Sequence, residues 1–204
     1  MSPNRTTGKQ SARRCDTCRD RACREDRDCF DLADQVLPSY SEDALRLAQV
    51  ASRIEGRYYM QKTRLEEVML FAHEMGYHKL GVAFCIGLAQ EAEILCRLLR
   101  HEFKVVSVCC KVCAIQKQKL GLEEINPGEP ETMCNPIGQA TLLNQAKTDL
   151  NLICGLCIGH DIQFTTYSDA PVSTFIVKDR VLGHNPAAAL WCRYVRKRID
   201  PDEP

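Results

Sequence analysis

The sequence lacks the features that take a chain into or across a membrane. No stretch approaches 18 consecutive apolar residues, so nothing in it reads as a membrane span. Residues 1–14, MSPNRTTGKQSARR, contain no apolar run of the kind that drives export, so a cytoplasmic protein is expected. Charge of one sign is missing too. Lys and Arg number 27 and Asp and Glu number 27. That balance argues against a whole-chain nucleic-acid footprint and against an acidic tail protein. What is abundant is cysteine, with 13 in 204 residues. The odd count, with no export signal, argues against a disulfide scaffold. In a reducing compartment dense cysteines are more often metal ligands or reactive thiols.

Hydrophobic patterning divides the chain. Residues 1–14 carry Arg5, Lys9, Arg13 and Arg14 without an acid and read as a disordered basic arm. Residues 15–40 open with CDTCRDRACREDRDC, which has almost no apolar side chain and cannot fold by burial, so its order must come from something bound to the cysteines. Residues 41–196 read as a helical region followed by an α/β domain, and 197–204 as a tail. Ser41 caps a helix whose face is Leu47, Val50, Ala51, Ile54 and Tyr58. Thr63 and Glu66 form a capping box for a second helix that ends at Gly76. Four apolar runs then read as strands: KLGVAFC (79–85), KVVSVCC (104–110), LNLICGLC (150–157) and PVSTFIVK (171–178). Between them lie an amphipathic helix over 86–103 and a helix opened by Asn135-Pro136. Residues 111–133 are loop-rich, and a last helix opens at Asn185-Pro186 and runs through Trp191 and Tyr194. The expected architecture is α/β: a parallel sheet of about four strands with flanking helices, preceded by a helical region and a four-cysteine segment.

Two cysteine constellations follow. Cys15-x2-Cys18-x4-Cys23-x5-Cys29 offers four thiolates within 15 residues, suited to one tetrahedral ion or one iron–sulfur cluster. Arg19, Arg21, Arg24 and Arg27 are offset there by Asp16, Asp20, Glu25, Asp26 and Asp28, which disfavours phosphate binding. The second set is Cys85, Cys109, Cys110, Cys113, Cys134 and Cys157. Cys85, Cys109, Cys110 and Cys157 stand at the ends of predicted strands and Cys134 before a helix, so a parallel sheet would gather them on its carboxyl edge, where ligands bind in such folds. Phe84-Cys85-Ile86-Gly87 and Leu156-Cys157-Ile158-Gly159 repeat one form, and helix N-termini there would favour thiolates. Cys96, Cys154 and Cys192 read as core or inert cysteines. His160, Asp161, Lys178, Asp179 and His184 are candidates for tuning the sulfurs or for acid–base work. Gly155-Leu156-Cys157-Ile158-Gly159 also fits a nucleophile elbow, with Asp179 and His184 following in hydrolase order.

The runs AFCIGLAQEAEIL, VVSVCCKVC, ETMCNPIGQATLLN, TDLNLICGLCIGHD and APVSTFIVKDRVLGHNP resemble a cysteine-rich family, a domain of unknown function found mostly in anaerobic microbes. The resemblance extends from Cys15 to Tyr194. It implies metal binding, carried onto Cys15, Cys18, Cys23 and Cys29 and onto Cys85, Cys110, Cys134 and Cys157. Its anaerobic setting associates with iron–sulfur chemistry. The leading expectation is a metal-binding protein with two cysteine sites, with an iron–sulfur cluster (4Fe–4S favoured) or zinc as cofactor. It would work in electron transfer with a redox partner or in handling a small sulfur-containing ligand, with neither nucleic acid nor membrane as partner. The alternatives are a zinc-stabilised enzyme with Cys157 or Cys85 as nucleophile, and a non-catalytic zinc-binding adaptor.

Overall fold

The computed structural model describes residues 15–200 and Asp202. The predicted basic arm, and residues 201, 203 and 204 of the predicted tail, lie outside the described residues. The chain divides into two compact units, residues 1–46 and 47–204.

In the first unit no described side chain is buried. Its local order is a series of short turns: 3-10 helices at Cys15–Thr17 and Ala22–Arg24, a one-turn helix α1 (Ala33–Val36) and a 3-10 turn at Leu37–Ser39. The Asp28 carboxylate accepts the amides of Phe30, Leu32 and Ala33, and so stands in for a cap at the start of α1. Those backbone bonds, led by that from Ala33, hold its pKa below the ordinary carboxylate value. Helix α2 (Glu42–Tyr58) begins in this unit and continues into the second.

The second unit is built on a sheet. Strands β1 (Lys79–Phe84), β2 (Lys104–Cys109), β3 (Leu150–Cys154) and β4 (Val172–Ile176) lie in the order β2-β1-β3-β4, and every neighbouring pair is parallel. Helices α3 (Arg64–Met75), α4 (Ala89–Leu99), α5 (Pro136–Gln145) and α6 (His160–Tyr167) connect and flank it. β1 and β3 are the central strands. Leu80, Val82 and Ala83 of β1 and Leu150, Leu152 and Ile153 of β3 are buried, as expected of strands covered on both faces. β1 feeds β2 on one side, and β3 lies on its other side. Right-handed crossovers therefore place α4 on one face and α5 with α6 on the other. α3 runs beside the end of α4, where the His73 ring stacks on Phe103 and pairs with Glu102.

The expected capping box is present. Thr63 Oγ1 accepts the Glu66 amide while Glu66 accepts the Thr63 amide, and Gly76 closes α3 in the left-handed conformation at φ 75°. Asn135 caps α5 through the Gly138 amide at 2.9 Å, with Pro136 in the first turn. Gly81 is required by space. A Cβ there would stand 1.9 Å from Asn151 Oδ1. Asn151 is itself buried and fixed by Thr148 Oγ1 (2.7 Å) and Ser168 Oγ (2.8 Å).

Several element bounds read from the sequence differ from the structure. β3 ends at Cys154 rather than Cys157, because Gly155 turns the chain at φ 72°. Helix α6 follows at once, over a segment whose mixed polarity gave no apolar period. The last helix is two single turns, α7 (Ala188–Trp191) and α8 (Arg193–Arg196), broken where Cys192 takes extended angles. Among the described residues no helix is long and apolar enough to cross a membrane.

Candidate functional site

A 2-1-3-4 order reverses direction between β1 and β3, and in open parallel sheets the crevice outside the carboxyl ends at such a reversal is where ligands bind. The two echoed turns leave the sheet at this point. Cys85 follows β1 and caps the 3-10 turn Ile86–Leu88; it is buried, and its amide donates to the Cys154 carbonyl across the β1–β3 pair (3.2 Å). Cys157 follows β3 and is half-buried; its carbonyl accepts the His160 and Asp161 amides that open α6.

β2 delivers Cys109 and Cys110. Cys109 ends the strand, half-buried, in register with Phe84. Cys110 turns inward and is 1% exposed. Its amide donates to the Phe84 carbonyl, its carbonyl accepts the Asn135 amide (2.7 Å), and its Sγ accepts the Ile86 amide (3.3 Å). The Cys110 thiol is also hydrogen-bonded to Cys134, the residue before the α5 cap. Cys134 is held from a second side by His160. The two sulfurs share one proton. The bond to Cys134 and burial push the Cys110 thiol far up. The bonds from Cys110 and His160, with Lys111 nearby, pull Cys134 down to about 4, so it carries the thiolate at neutral pH.

Cations complete the edge. Arg180 Nη2 donates to Cys157 Sγ at 3.0 Å, and the guanidinium also feels Cys85 and Cys134, which raises its pKa. Lys178 reaches the same place over Gly87: a Cβ on that glycine would lie 3.2 Å from Lys178 Nζ and 3.9 Å from Cys85 Sγ. Gly87 therefore leaves room for an ammonium beside a sulfur. Its counterpart Gly159 serves the backbone instead, turning at φ 86° before α6. Gln139, fully buried on α5, ties the edge together by donating to the carbonyls of Phe84 (3.1 Å) and Val108 (2.7 Å). Its Oε1 is left with no hydrogen-bond partner.

The structure thus gathers Cys85, Cys110, Cys134, Cys157, His160 and Lys178 at one edge, with Arg180 as a partner no sequence motif marks. Cys113 stands apart, exposed on a turn where it and Ala114 both have positive φ (71° and 49°). Cys96 and Cys154 are buried in the core, and burial pushes Cys154 up to about 12. Cys192 is exposed. Asp161 accepts the next amide, Ile162 N. Asp179 Oδ1 accepts the Val181 and Leu182 amides, and the Asp179 amide donates to His184 Nδ1. Asp179 and His184 thus brace their own loop. The group on Cys157 is Arg180, so the elbow geometry that would give a cysteine–histidine–aspartate relay is not formed.

In the first unit the four cysteines are exposed or half-exposed. Cys18 Sγ donates to Asp20 (3.2 Å) and Cys29 Sγ to the Arg27 carbonyl (3.7 Å). Arg21, Asp26 and Asp31 hold positive φ, an uncommon concentration for non-glycine residues. Among the described residues no group of three or more His, Cys, Asp or Glu side chains is placed so that it could hold a metal ion.

Comparison with known proteins agrees with this anatomy without adding an activity. The chain is 52% identical over 188 residues to an uncharacterized protein of Methanocaldococcus jannaschii, covering 91% of this chain and 97% of that one. No solved structure matches it. A family described as protein of unknown function (DUF1847) matches residues 24–175, a span that takes in Cys29 and every cysteine of the sheet edge but stops short of Lys178 and Arg180. On both counts this cysteine-rich α/β chain belongs to that family.

Proposed function

We propose that the carboxyl edge of the sheet is a thiolate-ligated redox centre, an iron–sulfur cluster held by Cys85, Cys110, Cys134 and Cys157, and that the protein carries electrons through it. The supporting observation is the meeting of four cysteines from distant parts of the chain with Arg180, Lys178 and His160 at the β1–β3 reversal. Four thiolates on one centre leave a net negative charge that a half-buried site must balance, and these side chains supply the balance. The donor chemistry fits the group. Around one tetrahedral ion, sulfurs at about 2.3 Å stand about 3.8 Å from each other, whereas a four-iron cluster spreads its ligands wider. When bound, the cluster accepts and releases one electron. The protein's part is to fix the sulfurs, through Gln139 and the Asn135–Cys110 backbone bond, and to set the charge around them.

In the first unit, Cys15, Cys18, Cys23 and Cys29 are proposed to bind a separate metal that orders a segment without a core. The compartment implied by so many free thiols is a reducing one, the cytoplasm.

A second reading rests on the Cys110–Cys134–His160 contacts. A thiolate hydrogen-bonded to a thiol and an imidazole is also the resting state of a metal-free thiol catalyst, and its nucleophile would be Cys134 rather than Cys85 or Cys157. One experiment separates the readings: metal analysis and absorption of protein purified without oxygen. A broad band near about 400 nm with stoichiometric iron is expected, because thiolate–iron charge transfer absorbs there and zinc is colourless. Stoichiometric zinc, or no metal, with unchanged folding of the second unit would overturn the cluster and move Cys134 forward.

A further inference from the structure

The apolar stripe of α2 does not close on α3. Leu47, Ala51 and Ile54 of α2 recur at i, i+4 and i+7. Arg64, Glu67, Val68 and Phe71 of α3 recur at i, i+3, i+4 and i+7. Each set is one stripe along its helix, and the two stripes line a cavity of about 670 Å³ within the second unit. A further wall is the amino ends of β3 and β4, at Leu150 and Val172. The cysteine site stands at the carboxyl ends of the same parallel sheet, so the cavity is separate from it. Ile54 and Val68 are buried, while Tyr59 and Met60, which also line the space, are 67% and 91% exposed. The cavity therefore opens to solvent where the chain passes from α2 to α3. Close-packed interiors leave few voids larger than a water molecule, and a volume of this size is that of a small-molecule site.

The charged groups of the lining are held in different ways. Arg64 Nη2 donates to Ser173 Oγ at 2.7 Å, which draws it toward β4 and away from Glu67 on its own helix. Glu67 is half-buried and Glu55 exposed, and both line the cavity. Among the described residues neither carboxylate has an ion pair or a side-chain hydrogen bond. Nearby cations on these two helices and the turn between them are taken or turned elsewhere: Arg53 pairs with Glu74, Lys62 pairs with Glu66, and Arg57 is not in the lining. The cavity thus holds two carboxylates without a partner against one guanidinium that has one.

We propose that this cavity binds an organic cation, a small molecule with an extended apolar body and one ammonium head. The body lies between the α2 and α3 stripes, and the head meets Glu67 with Glu55 beside it. The inference uses no cysteine and no metal, so it is independent of the redox reading above. Apolar surface removed from water between the stripes supplies the bulk of the affinity. An ammonium at a half-buried carboxylate adds a charge-assisted hydrogen bond. A carboxylate head would find Arg64, but it would meet two like charges in the same space.

The test is calorimetry on the full chain at neutral pH with three probes of one chain length, decylammonium, decanol and decanoate, each below its micelle concentration. Saturable binding of decylammonium at one equivalent is expected, about tenfold or more tighter than decanoate, with decanol between them. Glu67→Gln should weaken decylammonium by about tenfold and leave decanol within about twofold, because only the head has lost its partner. Ala51→Trp places a large side chain in the space from the exposed side of α2, and should abolish binding of all three while far-ultraviolet dichroism is unchanged. Decanoate binding as tightly as decylammonium would overturn the cationic head. Equal decylammonium affinity in the unmodified chain and Glu67→Gln would overturn its placement. No saturable binding by the folded chain, or binding that survives Ala51→Trp, would overturn the cavity as a site.

Discussion

Both units concentrate cysteine, yet they stand in opposite relations to burial. In residues 15–46 no described side chain is buried, and order comes from turns, Asp28 and three strained residues. In residues 47–204 strands and helices close a core that is mostly aliphatic, with Cys85, Cys96, Cys110 and Cys154 among its buried members. A bound metal would therefore be scaffold in the first unit and passenger in the second. The apolar sequence around the cysteines sets that difference in burial.

The largest expected effect breaks the second unit while sparing the first. Gly81→Ala forces a methyl to within 1.9 Å of Asn151 Oδ1 and 2.9 Å of Leu143 Cδ1, both in fully buried residues. Relief means moving a hydrogen-bonded amide at the sheet centre, at a cost of roughly 3 kcal/mol or more. Urea denaturation followed by far-ultraviolet dichroism should show it. Metal retention by the first unit, measured in native buffer, should be unchanged.

The reverse experiment removes metal. Chelation under reducing conditions should expose Arg19, Arg21, Arg24 and Arg27 to trypsin, raising cleavage there by about tenfold or more, since an unbound segment has no core to hold it. The thermal midpoint of the second unit should move by only a few degrees, as expected for loss of a ligand rather than a fold. Loss of the sheet on chelation would show that the second site is scaffold too, and the contrast between the units would disappear.

This contrast was largely legible in the sequence, because both of its terms are patterns of burial. The runs 79–85, 104–110 and 150–157 are continuous and apolar, and parallel strands need that; the poverty of 15–29 is equally plain. Strand ends then carried Cys85, Cys109 and Cys110 to the correct edge. Contacts made only by folding were not legible. Arg180 on Cys157, Lys178 over Gly87 and Gln139 across two strand ends join residues 23 or more apart with no spacing rule. Nor could the sequence mark Cys134 as a thiolate, because its lowered pKa rests on Cys110 and His160 arriving beside it. A helix N-terminus after Cys157 was anticipated from the echoed turn, but not the extent of α6, because its eight residues carry no apolar helical period.

A smaller effect sharpens the second unit's side of the comparison. In metal-free protein the Cys134 pKa is lowered from 9.0 to about 4, so one thiolate should persist at pH 6 where ordinary cysteines are protonated, visible as ultraviolet absorbance that titrates near pH 4. A lowered pKa means the unfolded chain binds the extra proton, so this group's contribution is full above about 9 and is lost as pH falls through about 4. The raised Cys110 acts oppositely, lowering stability above 9, where the unfolded chain ionises and the folded one does not. Stability of the metal-free second unit should thus rise from pH 4 toward 9 and then turn over. His160→Ala should shift the thiolate midpoint upward.

The smallest effect concerns the start of α3, remote from both cysteine sites. Thr63→Ala removes the hydroxyl that accepts the Glu66 amide and is expected to cost about 1 kcal/mol, read as a shift in urea midpoint without change in slope. Glu66 also carries a pH signature. Bonds from the Thr63 amide, Lys62 and the Thr63 hydroxyl lower its pKa from 4.5 to about 2. Its contribution is therefore full above about 4.5 and lost as pH falls toward about 2. Glu66→Gln should flatten the stability profile in that window only, leaving intact the rise between 4 and 9 that belongs to Cys134. If Glu66→Gln abolished that rise instead, the pH dependence would lie in the helix cap, and the claim that the second unit's own fold holds a thiolate at its edge would fail.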